Sequence, residues 1–440
     1  RDSQVKDLLL EFNSEEMPAS ELGAAIKGFH DLIKVGLANS NITFKNSKHY
    51  FTPTRITFVF YDLRNTKVHN EIIVRGPHID APEKALEGFA RSNGIDKKSL
   101  IKKKTKKGIY YFYKVNKKTN KIEFKLGEII KVSLNKFVWK KSMRWGFEKC
   151  RWVRPLKNIL CIYNGKIVKF QFFNFESTNL LYVRKKTLIK KYKIKSVKKY
   201  FEILQKESIE VDQNRREEII IKKAKDICKI KKLKFNFDKQ LVQEVANLVE
   251  TPYLFLAKFK LEYLKLPNEV LITSMQKHQK YFPLFTLDNT LSNIFLLVSN
   301  LKPKDKGKMI IAGNERVINA RLSDAQFFWN KDLSSNFRKE NKKLNTLIFH
   351  NEIGTVKEKT ERLNIITSYL SKSLNLKTAK LLSEASTLCK NDLVSETVRE
   401  FPNLQGIMGK YLILNAKGSE EVACAIEEHY KPQGPADAIP

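Results

Sequence analysis

The stretch DLLLEFNSEEMPASELGAAIKGFHDLIKVGL, residues 7–37, decides how the chain begins to fold. It reads as a strand, a turn and a helix. Pro18 suits an early helical position, where a missing N–H does no harm. Beyond it Leu22, Ala25, Ile26, Phe29, Leu32 and Ile33 recur on one helical face. TPTRITFVFYDL, residues 52–63, follows with strand character. VRGPHIDAPEKALEGFARSNGI, residues 74–95, predicts a turn at Gly76-Pro77 and a helix from about Pro82 to Ser92. Gly108 then ends a basic loop before the aromatic strand GIYYFYKV.

CRWVRPLKNILCIYNGKIVKFQFFNF, residues 150–175, predicts a β-hairpin turning at Asn164-Gly165. Its apolar residues come in runs, as expected when both faces are covered. Residues 184–232 carry the densest lysines, as in KKTLIKKYKIKSVKK, and read as helical with a solvated or RNA-facing surface. From about Phe235 to Phe259 the sequence predicts a helix ending before Pro252, then a strand. LPNEVLITSM reads as a helix start and NIFLLVSNL as a buried strand. Beyond about Asp332 the periodicity is helical. The expected architecture is an α+β multidomain protein with a mixed α/β N-terminal half built on antiparallel strands. Its divisions fall at 1–140, 141–332 (the lysine-rich helical insertion at 184–232 included) and 333–440, the last all-helical.

The 440 residues are 42% hydrophobic, enough for several cores. No apolar run reaches the roughly 18–20 residues that span a bilayer, and the first residues lack the apolar centre of a signal peptide. A cytoplasmic setting is expected. The five cysteines are odd in number and far apart, so they read as incidental thiols of a reducing compartment. The net charge of +35 suggests a polyanionic partner. Composition drift toward Lys, Asn and Ile competes with that explanation. Arginines are therefore the sharper signal, because a guanidinium fork binds phosphate or carboxylate bidentately. Arg144, Arg151 and Arg154 cluster, as do Arg316 and Arg321.

No glycine-rich nucleotide fingerprint, P-loop, GxSxG or HExxH occurs. The seven histidines show no metal-ligand spacing, and His30-Asp31 falls in a helix that supplies core. Glu15 and Glu16 suit the positive end of a helix dipole. A basic chain without a catalytic constellation favours a binding subunit.

Several blocks, in order, resemble the β subunit of bacterial heterotetrameric glycyl-tRNA synthetase. They are LLLEFNSEEMPASEL, TPTRITF, VRGP, SMRWG with VRP, LPNEVLITSMQKHQKYFPLF, IIAGNERVINARLSDAQFFWNKD, IGTVKEKTERL and LVSETVREFPNLQGIMGKYL. Asn13 stands where that family usually has Gly, and Lys277-His278 replaces a Gly-Asp-like pair. The resemblance implies a tRNA-binding role. Glycine activation with ATP and Mg belongs to a partner α subunit, so this chain itself binds no cofactor. Its partners would be the α subunit, tRNA(Gly) and a second β subunit, with no membrane. It also implies an HD-like helical region and a longer protein, lacking here its C-terminal part with the anticodon-binding domain.

Under that resemblance Arg144, Arg151, Arg154, Lys277, Lys280 and Arg316 are the tRNA-contact candidates, and no catalytic or metal residue is expected. Each has an alternative. Arg144, Arg151 and Arg154 serve equally as partners of an interface carboxylate. Tyr281, Phe282 and Phe285 stack on bases or fill a core, with Pro283 setting a turn. Asn314, Glu315, Arg316 and Arg321 suit a structural network, with Arg321 bonded to Asp324 at i,i+3. Two rival functions remain: a non-specific nucleic-acid binder left by a decayed synthetase gene, and an HD-type metal phosphohydrolase using His350 and Asp392.

Overall fold

The computed structural model describes residues 6–65, 71–105, 108–116, 122–146, 151–185, 188–435 and 437–440. It contains two compact units, Arg1–Arg216 and Glu217–Pro440. The first unit runs β1 Leu8–Ser14, α1 Ala19–Asn39, β2 Asn46–Phe51, β3 Arg55–Tyr61, β4 Glu71–His78 and α2 Glu83–Ser92. It continues with β5 Ile101–Thr105, β6 Gly108–Asn116, α3 Ile122–Lys136, β7 Met143–Arg144, β8 Arg151–Trp152, β9 Leu156–Tyr163 and β10 Lys166–Ile167. The hairpin β11 Leu180–Lys185 and β12 Leu188–Lys193 follows, then α4 Val197–Lys206.

The five-stranded antiparallel sheet has the order β10-β9-β1-β3-β2, with β1 at its centre. Every residue of β1 is buried. Alternation sends Leu8, Leu10 and Phe12 into a core shared with α1 and α3, which holds Leu22, Ile26, Phe29, Ile33 and Ile130. Leu9 points into a second core with Val59, Leu181, Val183 and Tyr200. Two covered faces explain why the strand reads as an apolar run. The hairpin turn stands at Asn164-Gly165, whose φ values of 47° and 75° suit a two-residue turn.

Glu11 lies on the second face with no exposure. Arg55 Nη1 donates to both its oxygens at 3.2 Å, and Tyr200 Oη donates to it at 2.6 Å. Arg55 Nη2 donates to the Tyr182 carbonyl at 2.5 Å, while Thr57 Oγ1 lies 2.8 Å from the Tyr200 hydroxyl. Burial, then the Glu11 charge, pushes the Tyr200 phenol well up, so it remains a donor.

Three sequence expectations change here. Residues 188–193, read as helical, are the strand β12, paired residue for residue with β11. The reason is the partner: Leu181 and Val183 alternate into the core and draw the lysine-rich segment into register as a solvated edge. Gly76-Pro77 is a register shift inside β4, not a turn that ends a strand. The basic loop before Gly108 contains β5, which pairs with β6.

The second unit holds most of α5 Gln213–Lys231, then α6 Lys239–Ala246, β13 Tyr253–Lys258, α7 Asn268–Thr273, β14 Phe282–Phe285, β15 Leu291–Ser299 and α8 Lys308–Ser334. Longer helices beyond it are α9 Val356–Ser373, α10 Ala379–Leu388, α11 Ile407–Asn415 and α12 Glu420–Glu428. A two-stranded ribbon, Ile348–His350 with Gly354–Thr355, interrupts the otherwise helical C-terminal region. The antiparallel sheet β13-β15-β14 is again covered twice. Ala224, Leu241 and Val245 meet Phe282 and Leu296 on one side. Ile318, Leu322, Met408 and Ile426 join Phe295 and Leu297 on the other. Cys161, Cys228 and Cys389 are buried free thiols and Cys424 an exposed one, while Cys150 lies outside the described residues. No helix among the described residues is long and apolar enough to cross a membrane.

Glu11→Ala would strand the Arg55 charge in the interior, with an expected loss of about 3–5 kcal/mol. Tyr200→Phe, which keeps the ion pair, should cost about 1–2 kcal/mol. Denaturant midpoints of the two variants check this ordering, and equal losses would contradict it. His30 is buried against His49, Nδ1 to Nδ1 at 3.2 Å, and burial lowers its pKa from 6.5 to about 4. The unfolded chain therefore binds this proton at higher pH than the fold does. The stabilisation is full above about pH 6.5 and is lost as pH falls toward 4, by at most ~3 kcal/mol. Urea midpoints from neutral to acid pH should show the decline, and His30→Leu should flatten it.

Candidate nucleic-acid interface

Residues 137–143, Arg151, Val153 and Arg154 line a basic cleft of about 980 Å³ in the first unit. Phe137, Trp139 and Phe172 give it an aromatic lining. Trp152, almost fully buried, packs against that lining, 5.6 Å from Phe172 and 5.4 Å from Phe12, ring centre to ring centre. Trp152 Nε1 donates to Ser14 Oγ at 3.0 Å, and Trp145 Nε1 donates to the Trp152 carbonyl at 3.1 Å. Trp139 meets Trp152 edge-on at 5.3 Å. These contacts anchor the segment to the end of β1.

Alternation around buried Trp152 turns Arg151 outward, as the sequence predicts. The register of β7 and β8 then places Arg151 directly opposite Arg144. Directly opposed side chains share a face, so two exposed guanidiniums lie side by side. Like charges so placed repel, and neither has a carboxylate partner among the described residues. Arg151 and Arg154 line the cleft together with Lys140 and Lys141. Arg154 Nη1 donates only to the Val153 carbonyl, at 2.9 Å. Pro18 and Ser20 bring the first turn of α1 to the same rim, and no side chain caps that helix. Its free N–H groups add positive potential. The arrangement can hold several anionic oxygens at once. Among the described residues it has no placed nucleophile or general base.

Of the residues the sequence singles out, Arg151 and Arg154 line the cleft and Arg144 stands opposite Arg151, whereas Lys140, Lys141 and the α1 terminus were not singled out. The lysines immediately precede the SMRWG block, which was the available signal. Glu15, read as a helix-dipole carboxylate, instead pairs with Lys157 at 2.8 Å.

Lys277, Lys280 and Arg316 lie in the second unit. The segment that holds the first two passes from α7 into a π-turn, Ser274–His278, before β14. Lys280 adopts φ +60° as the chain reverses. Tyr281 and Phe282 are buried: Tyr281 stacks on Phe295 at 4.7 Å and donates to Asn314 Oδ1 at 2.6 Å. They are core, and Phe285 packs against it. Lys280 Nζ pairs with Glu244 at 2.9 Å, so much of its charge is already matched. Lys277 and Arg316 are exposed, with no carboxylate partner among the described residues. Glu315 accepts the Lys258 N–H and Asn319 the Lys260 N–H, both at 2.9 Å, so this face of α8 ties down the end of β13. Arg321 bonds to Glu400 at 2.9 Å rather than to Asp324. That carboxylate is distant in sequence and was invisible to an i,i+3 rule.

Among the described residues no group of three or more His, Cys, Asp or Glu is placed to hold a metal. His350 is exposed on the small ribbon. Asp392 is fully buried and accepts the Gly406 and Gly409 N–H groups at 2.5 and 3.3 Å, while burial raises its pKa to about 6.

The family model described as glycyl-tRNA synthetase beta subunit matches residues 8–440, and the chain belongs to that family. It is 39% identical over 440 residues to the glycine–tRNA ligase beta subunit of Rickettsia felis, covering 99% of this chain. The corresponding protein of Rickettsia canadensis is 38% identical over 438 residues, again covering 99% of this chain. The chain spans 65% and 64% of the lengths of these two relatives.

Arg151→Gln should relieve the repulsion across β7 and β8. Without RNA, stability at low salt should rise by roughly 0.5 kcal/mol, and the gain should shrink as salt screens the pair. Melting midpoints at two ionic strengths decide it; a loss of stability would mean that Arg151 has an attractive partner.

Proposed function

We propose that this chain acts as the tRNA-holding β subunit of a glycine–tRNA ligase. It grips the backbone of tRNA(Gly) so that the acceptor end reaches an α subunit, which activates glycine with ATP and Mg. Two such chains would assemble with two α chains. The observation that carries this is the arginine pair, Arg144 opposite Arg151, with no carboxylate partner among the described residues, of which Arg151 lines a cleft with Lys140 and Lys141 in a chain of this family. Fixed guanidiniums and amides suit phosphate oxygens. Positioning alone contributes several kcal/mol to a bimolecular transfer, so the chain needs no reacting group. Lys277 and Arg316 offer further exposed charges, whereas Lys280 is better placed to hold Glu244.

Glycylation of tRNA(Gly) by the cognate α subunit, with and without this chain, tests the proposal. Addition should raise the rate roughly tenfold or more. An Arg151→Gln, Arg154→Gln double variant should act mainly through a higher KM for tRNA. Absence of stimulation, with the α subunit shown competent beside a relative's β subunit, would overturn the role. So would salt-sensitive binding with no preference for tRNA(Gly), which is the signature of a non-specific binder.

A further inference from the structure

No described side chain of the small antiparallel sheet β4-β6-β5 belongs to the hydrophobic cores. Among the described side chains of residues 74–105 and 108–113 only Ala90 is buried. Its central strand nevertheless reads GIYYFYKVN. The register sets Tyr110 opposite Lys103 on one side and His78 on the other. Phe112 stands opposite Ile101 and Arg75. Opposed residues share a face, and so do residues two apart along a strand. All six side chains therefore belong to one surface.

The contacts agree. The Arg75 guanidinium lies 3.6 Å from the centre of the Tyr110 ring, and His78 meets that ring edge-on at 4.9 Å. The helix covers the reverse side: a Cβ on Gly76, the neighbour of Arg75, would come within 2.9 Å of Phe89 of α2. Arg75, Lys103 and Ile101 are exposed, and Tyr110 and Phe112 half-buried. Among the described side chains, the carboxylate that touches this surface is Asp80, at its rim, 3.3 Å from His78. Arg75 and Lys103 have no carboxylate partner among the described residues.

We propose that this face is a stacking platform for unpaired RNA. It would take about two bases, one on Phe112 and one on the outer plane of Arg75 above Tyr110, with Lys103 meeting a phosphate. Duplex RNA is refused because its bases present no free face. The inference rests on the tRNA reading for its class of ligand and adds a site separate from the arginine cleft.

The experiment uses the full chain and a fluorescein-labelled oligouridylate of about ten nucleotides, with a hairpin duplex as competitor. Phe112→Ala and Arg75→Ala should each weaken binding about tenfold with melting unchanged, while Tyr110→Phe binds normally. Lys103→Ala should lower the salt slope by about 0.7. Because Phe112→Ala could disturb the sheet, 4-thiouridine cross-linking of the unaltered chain gives a second readout, expected at residues 108–113. Parental affinity in a folded Phe112→Ala, equal competition by duplex, or cross-links elsewhere would each overturn the platform. Loss of glycylation stimulation with oligouridylate binding intact would count against the ligase role alone. Intact stimulation without oligouridylate binding would count against the platform alone.

Discussion

One buried ion pair organises the first unit. Glu11 on the central strand and Arg55 on its neighbour could not remain charged in an apolar interior without each other and further bonds. Those bonds come from elsewhere in the chain: the Tyr200 hydroxyl of α4 and the Tyr182 carbonyl of β11. The pair thus does more than join β1 to β3. The Tyr200 hydroxyl and the Tyr182 carbonyl tie α4 and the lysine-rich hairpin over that face. The same strand, through Ser14 at its end, accepts the Trp152 indole, against which the aromatic lining of the basic cleft packs. A sheet interaction at its middle and a surface site at its end are consequently carried by one seven-residue strand.

Charge at the cleft follows the opposite logic. Inside the sheet the Arg55 guanidinium meets the Glu11 carboxylate and the Tyr182 carbonyl. At the cleft, Arg151 is set against Arg144 by strand register, and both are left without a counter-charge among the described residues. Repulsion held in place by aromatic packing is poor design for stability and good design for an anion, whose arrival removes it. In the second unit, where Lys280 meets Glu244 and Arg321 meets Glu400, basic groups serve the fold.

Much of this was legible in the sequence because the signals were local. The β1–α1 unit, the Asn164-Gly165 hairpin and the outward turn of Arg151 follow from periodicity and turn chemistry. What escaped notice depended on partners far along the chain. Residues 188–193 look helical alone and become a strand because Leu181 and Val183 stand opposite. The pairing of Arg144 with Arg151 depends on two-residue strands too short for any pattern. Glu244 and Glu400 lie 36 and 79 positions from the cations they hold. The family resemblance supplied what locality could not, the order of the blocks, but not which cations remain unmatched.

The sheet of half-buried aromatics has a further consequence. Its described side chains leave water less completely than those of β1, so less free energy separates the closed strands from locally opened ones. Amide hydrogens of β4 and β6 should then exchange with solvent through brief opening of that sheet alone, while those of β1 wait for the whole unit to unfold. The molecule would carry two clocks in one chain, and a strand of RNA laid across the smaller sheet would slow only the faster.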